Sequence, residues 1–150
     1  MLIQIEKLAQ LVKETHLRFK LIPESIWADR SHPDKWSKKE ILGHLVDSAQ
    51  NNLRRLIVTQ YQPNMKIIYD QDFWVKAQNY QAQEVEGIIA LWHLLNVQLI
   101  HTFKKLPSDK YHLTTDIGRA QTEFINLPEL LDMYTEHLQH HLYQIFEESK

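Results

Sequence analysis

Thr135-Glu-His-Leu-Gln-His-His-Leu-Tyr-Gln-Ile-Phe146 places three of the nine histidines of the chain within five residues. On a helix, His137 and His141 stand one turn apart on the same side. Leu138, Leu142 and Ile145 add an apolar stripe beside them. Two imidazoles at this spacing can close on one metal ion, or they can be polar residues at the seam between two helices. Extended backwards, the same period takes in Leu127, Leu131 and Tyr134, which gives one helix over 127–147. Asn126, Pro128 and Glu129 supply its cap, its first-turn proline and its capping-box acid. By helical arithmetic His141 falls inside the margin of the apolar face and His137 on its edge. His140 is turned roughly 150° away, so it is expected not to be a ligand.

Three further helices are expected. Leu2, Ile5, Leu8, Leu11, Val12 and Phe19 give the first, over 2–21. Pro23 and Pro33 bracket the connection that follows, where Trp27 and His32 are expected to pack or to meet solvent. Ser37 and Glu40 form a capping box for a second helix over 37–60, with a buried stripe of Ile41, Leu45, Ala49, Leu53 and Leu56. His44 lies on the edge of that stripe, with Ser48 and Asn52 leading on from it. Asp47 points away and is not counted as a ligand. Val85, Ile88, Ile89, Trp92, Leu95, Leu99 and Phe103 define a third helix over 82–105. Asn96 projects from the middle of its face. His93 lies toward its side and His101 near its back. Long connections over 61–81 and 107–125 follow the second and third helices, and Thr114–Arg119 is read as a short hairpin turn. The fold class expected is therefore all-α: a four-helix bundle forming one domain over 1–150.

Composition narrows the function. Net charge is −2, and the basic residues are scattered in pairs, which excludes a sequence-independent nucleic-acid binder. With no cysteine there is no thiolate ligand, cysteine nucleophile or disulfide framework. Three glycines cannot build a phosphate-binding loop. No apolar run approaches the ~20 residues of a membrane span, and the N-terminus lacks the order of a signal peptide, so a cytoplasmic location is expected.

If the second and fourth helices are neighbours, His44 can join His137 and His141. Three neutral nitrogen donors suit a divalent metal (Zn²⁺, Ni²⁺ or Fe²⁺) and leave a position for water or substrate. Alternatively each histidine sits at a core edge and bonds to a neighbour.

The segment Trp36-Ser-Lys-Lys-Glu-Ile-Leu-Gly-His44-Leu-Val-Asp47-Ser48 resembles the Trp-[Ser/Thr]-x-x-[Glu/Gln]-…-His-x-x-Asp-Ser motif of the DinB-like superfamily, in the branch of bacillithiol transferases and metal-dependent hydrolases. His137-Leu-Gln-His140-His141-Leu-Tyr-Gln144-Ile145 is similar to the His-x-x-x-His motif of that branch, and Tyr69-Asp70-…-Trp74 and Asn126-Leu-Pro-Glu-Leu130-Leu131 are similar too. Gly43 departs from the bulkier or polar residue often found before the first motif histidine. The resemblance implies a metal held by His44, His137 and His141. It also implies transfer of a low-molecular-weight thiol to an electrophilic small molecule, with hydrolysis of a small amide or ester as the alternative. Tyr69, Asp70 and Gln144 are candidates for the pocket, and no catalytic residue is assigned. A non-enzymatic reading is a metal-binding stress protein that works through association. Neither reading calls for nucleic acid or membrane, and a homodimer is compatible with both.

Overall fold

A computed structural model of the protein describes residues 1–147. Six α-helices and one hairpin follow in chain order. They are α1 (Leu2–Phe19), α2 (Glu24–Ala28), α3 (Lys38–Tyr61), α4 (Gln71–Gln78), α5 (Val85–Lys105), β1 (Thr114–Asp116), β2 (Phe124–Asn126) and α6 (Leu127–Phe146). The four long helices α1, α3, α5 and α6 make the expected bundle. α3 packs against α5 and α6, and α1 packs against the same two, so α1 and α3 face each other across the bundle. Among the described residues no helix is long and apolar enough to cross a membrane.

Local chemistry fixes where the helices begin. Ser37 caps α3 through Glu40 N, with Glu40 reaching back to Ser37 N at 3.0 Å. Asn126 and Glu129 do the same for α6, at 2.9 and 2.8 Å. At one end of the core Phe19 stands edge-on to Trp27 and Trp92, with ring centroids 5.3 and 4.9 Å apart, and stacks on Phe146. These rings bring α1, α2, α5 and α6 together, so Trp27 packs, while His32 is exposed.

The sequence reading needs correction in the connections and on α3. Residues 61–81 are not a plain loop. They hold α4, capped by the Asp70 side chain on Phe73 N at 3.0 Å, and the start of a 3₁₀ turn, Tyr80–Ala82, after which the third long helix begins at Val85 and not at 82. Eight residues with one buried apolar side chain, Val75, are too few to show a period. The connection before α3 likewise holds α2, which Lys39 fastens through Glu24 at 2.5 Å. The hairpin is wider than Thr114–Arg119: β1 pairs with β2, with Thr115 opposite Ile125. The chain after α3 runs along β1 as well, with Ile67 N donating to Asp116 O at 3.0 Å. On α3, Ile41 and Leu53 are only partly covered, whereas every residue from Leu42 to Ala49 is buried. Elements pack around α3 on several sides, so no single stripe describes it.

Candidate metal centre

Lys38, at the start of α3, donates through Nζ to the carbonyls of Ile145 and Glu147 at the end of α6. Further along α3, Ser48 meets His137. The two helices therefore run antiparallel, and the first turns of α3 lie beside the last turns of α6. This brings His44 against the pair on α6. His44 Nε2 stands 3.1 Å from His137 Nε2, and His141 Nε2 stands 3.2 Å from the same atom. Ligand atoms of all three lie within 4.8 Å of one another. Nitrogens that share one ion through bonds of about 2.0–2.1 Å must stand about 3 Å apart, so the spacing fits.

The outer ring nitrogens support the same orientation. Gln144 Oε1 accepts from His141 Nδ1 at 2.8 Å, and Ser48 Oγ lies 3.4 Å from His137 Nδ1. A proton on Nδ1 leaves the Nε2 lone pair facing inward, as a ligand requires. His44 Nδ1 is buried without a partner among the described residues. Packing against Trp36, ring to ring at 5.2 Å, holds that imidazole. Burial, reinforced by the neighbouring imidazoles, pulls His44 down to about 3 and His137 to about 4. Burial lowers His141 too, against the Gln144 hydrogen bond that raises it. All three are neutral at pH 7, the state in which imidazole can bind a metal.

His44 is wholly buried, not at an edge. Its lateral position on the predicted stripe became interior because α6 covers that flank. His141 reaches the wall of a cleft of about 650 Å³, also lined by Trp36, Ile41, Lys35, Gln144 and Ile26. Of the three histidines, His141 is the one that lines it.

Other expected positions separate cleanly. His140 is exposed and stands outside the three, its ring 5.0 Å from that of His141. His93 stacks on His16 at 3.8 Å, and His101 is exposed; neither approaches the cluster. Asn96 is buried in the core, where it accepts from the Tyr134 hydroxyl at 2.5 Å. Asp47 is not among the converging residues but is fully buried, accepting from Tyr80 Oη at 2.6 Å and Gln78 Nε2 at 2.8 Å. Asp70 is an exposed helix cap and no part of the pocket. The Tyr69 hydroxyl does reach this region, lying beside Ser48. The sequence reading did not single out Trp36 as a wall of the site. Its place immediately before the capping serine was the available signal.

The sequence signature of the DinB superfamily matches residues 7–145. The chain belongs to that superfamily. No curated protein sequence matches the chain. Among solved structures, this DinB-like chain is similar to YfiT from Bacillus subtilis, described as a probable metal-dependent hydrolase with an unusual four-helix bundle topology. The TM-score is 0.81 at 20% identity, over 94% of this chain and 83% of that one. It is also similar to a mycothiol-dependent maleylpyruvate isomerase, with a TM-score of 0.78 at 12% identity, over 100% of this chain and 62% of that one. At these identities the likeness establishes the shared fold.

Proposed function

We propose that the chain is a metal-dependent enzyme acting on small molecules, with one divalent ion held by His44, His137 and His141. We propose further that it transfers a low-molecular-weight thiol to an electrophilic small molecule. The observation that carries this reading is the convergence of three Nε2 atoms, spaced 3.1 and 3.2 Å from the central one, beside a cleft that His141 lines. Zinc, nickel and ferrous iron all suit an imidazole donor set. When bound, such an ion lowers the pKa of a coordinated thiol or water.

The chain's own residues supply position and shape. Gln144 and Ser48 keep the imidazoles of His141 and His137 turned inward. Trp36 and Ile41 give the cleft an apolar wall against which a small electrophile can lie. The chain has no cysteine, so the sulfur of a thiol reaction must come from a cosubstrate. A cytoplasmic setting fits that requirement. Likeness to a mycothiol-dependent enzyme supports the thiol reading. Likeness to YfiT supports a second one, hydrolysis of a small amide or ester.

The test is metal analysis of protein purified without a histidine tag, followed by two assays on the loaded protein. One follows thiol addition to a generic electrophile, the other hydrolysis of small esters and amides. Thiol transfer that is lost in His44→Ala supports the first reading. Hydrolysis alone supports the second. Metal without turnover in either assay leaves a metal-binding protein.

A further inference from the structure

The polar face of α3 does not end at the histidine cluster. His44, Ser48, Asn52 and Arg55 follow one another at steps of four, four and three residues, and all four are buried. Asn52 Nδ2 donates to Ser48 Oγ at 3.3 Å, and Arg55 Nη1 donates to Asn52 Oδ1 at 3.2 Å. Ser48 itself meets His137, so the chain of contacts begins at the cluster. Each of these groups gave up water to be there.

Arg55 is only 7% exposed. Its Nε and Nη2 both donate to the Ile67 carbonyl, at 3.0 and 2.6 Å. Neutral oxygens thus take three of its five N–H groups. Among the described residues no carboxylate stands within ion-pair distance of it, nor of Arg119. Arg119 Nη2 donates to the Tyr69 carbonyl at 3.0 Å, two residues beyond Ile67. Two guanidiniums therefore grip one short stretch of chain. Burial lowers the pKa of Arg55, Tyr69 opposes this, and the charge of Arg119 lowers it further. The acids of neighbouring elements are engaged elsewhere. Asp47 is held by Tyr80 and Gln78, and Asp116 accepts from Gly118 N and Glu123 N and faces Lys66. A buried guanidinium near a second one, with no carboxylate of the described residues paired to either, is not balanced by the chain's own acids.

We propose that Arg55, Arg119 and the Tyr69 hydroxyl form an anion subsite that receives the carboxylate, or an oxyanion of similar size, of a substrate whose reacting end lies at the three histidines. This rests on the metal-site reading above and adds the substrate's class. Arg119 is exposed and Tyr69 partly so, which leaves the outer edge of the subsite at the surface. From the turn of Ser48, which touches His137, to Arg55 is seven residues, about 10 Å of helix. The substrate is thus a small acid. The planar fork of arginine suits a carboxylate.

The experiment titrates malonate and its neutral analogue malonamide into the full chain, with and without metal, by calorimetry. Malonate is expected to bind in both forms and malonamide in neither. Arg119→Ala, a surface change compatible with folding, is expected to weaken malonate about tenfold or more at unchanged metal content. Arg55→Gln is expected to do the same if it folds. Acidic and neutral thiols (mercaptosuccinate, 2-mercaptoethanol) and acidic and neutral electrophiles (maleate, N-ethylmaleimide) then show which partner carries the charge. The acidic member of one pair gains rate, and Arg119→Ala removes the gain. Malonate binding that is absent or indifferent to Arg119→Ala overturns the subsite, as does a lack of acid preference in both pairs. A chain that binds malonate but no metal overturns the metal reading instead, so the two failures are distinct.

Discussion

The ring of Tyr80 fills the space that a side chain on residue 43 would need. A β-carbon at Gly43 would stand 2.1 Å from Tyr80 Cδ2 and 2.3 Å from Cγ, well inside any real contact. The absent side chain before His44 is therefore matched by an aromatic ring from the 3₁₀ turn after α4. That ring ends in a hydroxyl bonded to Asp47, one turn along α3 from Gly43.

Gly43→Ala should destabilise the fold by about 1–3 kcal/mol, the range for overpacking a full core. Tyr80→Phe should not rescue it, because the clash is with the ring and not the hydroxyl. Tyr80→Ala in the Gly43→Ala background should cost less than the sum of the two single changes. Urea unfolding of the four proteins checks this, and strict additivity would separate the two residues.

His137→Ala should abolish tight metal binding, while His140→Ala should leave the metal content nearly unchanged. One ring lies inside the cluster and the other is exposed beside it. Elemental analysis of both variants decides, and equal losses would contradict the face assignment.

Gln144→Ala should weaken metal affinity about 10–100-fold without unfolding the chain, since Gln144 is exposed and orients His141 through Nδ1. Gln144→Glu, which keeps the acceptor, should retain most of the affinity. Competition with a chelator reads both, and an affinity unmoved by Gln144→Ala would remove it from the site.

The metal-free protein should lose stability as pH falls from about 6.5 toward 3. Burial holds His44 at about 3 and His137 at about 4 in the folded chain, against about 6.5 for a free imidazole. Below 6.5 the unfolded chain takes up protons that the folded chain refuses, so unfolding gains until the folded values are passed. The same lowering means that protons compete with a metal at a pH well under that of free imidazole. Denaturant midpoints across pH 3–8 test the first statement. A metal-release curve centred near 6.5 would refute the second.

The long helices and the flank that carries His137 and His141 were legible because they rest on repetition and on caps. Leu127, Leu131, Tyr134, Leu138 and Leu142 repeat over many turns, and the Ser37–Glu40 and Asn126–Glu129 boxes mark where two of the helices start. The separation of His137 from His140 followed from the same period. α2 and α4 were missed because five and eight residues hold too few turns to repeat anything. The burial of His44 and Asp47 was missed for another reason. Period describes one helix, whereas burial on α3 is set by α4, α5, α6 and the 3₁₀ turn arriving from elsewhere in the chain. Arg55 shows the limit most clearly: its cover is the backbone near Ile67, for which side-chain patterns carry no mark.

The antiparallel pairing of α3 and α6 has a consequence for how the molecule assembles. His44 and His137, the proposed ligands, are separated by 93 positions in sequence. Neither helix alone brings three donors, so an ion can be captured only after both intervening connections have closed. An ion at this place is then a cross-link over a very long loop, of the kind that limits the freedom of an unfolded chain most. Ion uptake during refolding would report completion of the bundle, not formation of its individual helices. Two fragments divided between α5 and the hairpin would each lack a centre and regain it only on reassociation.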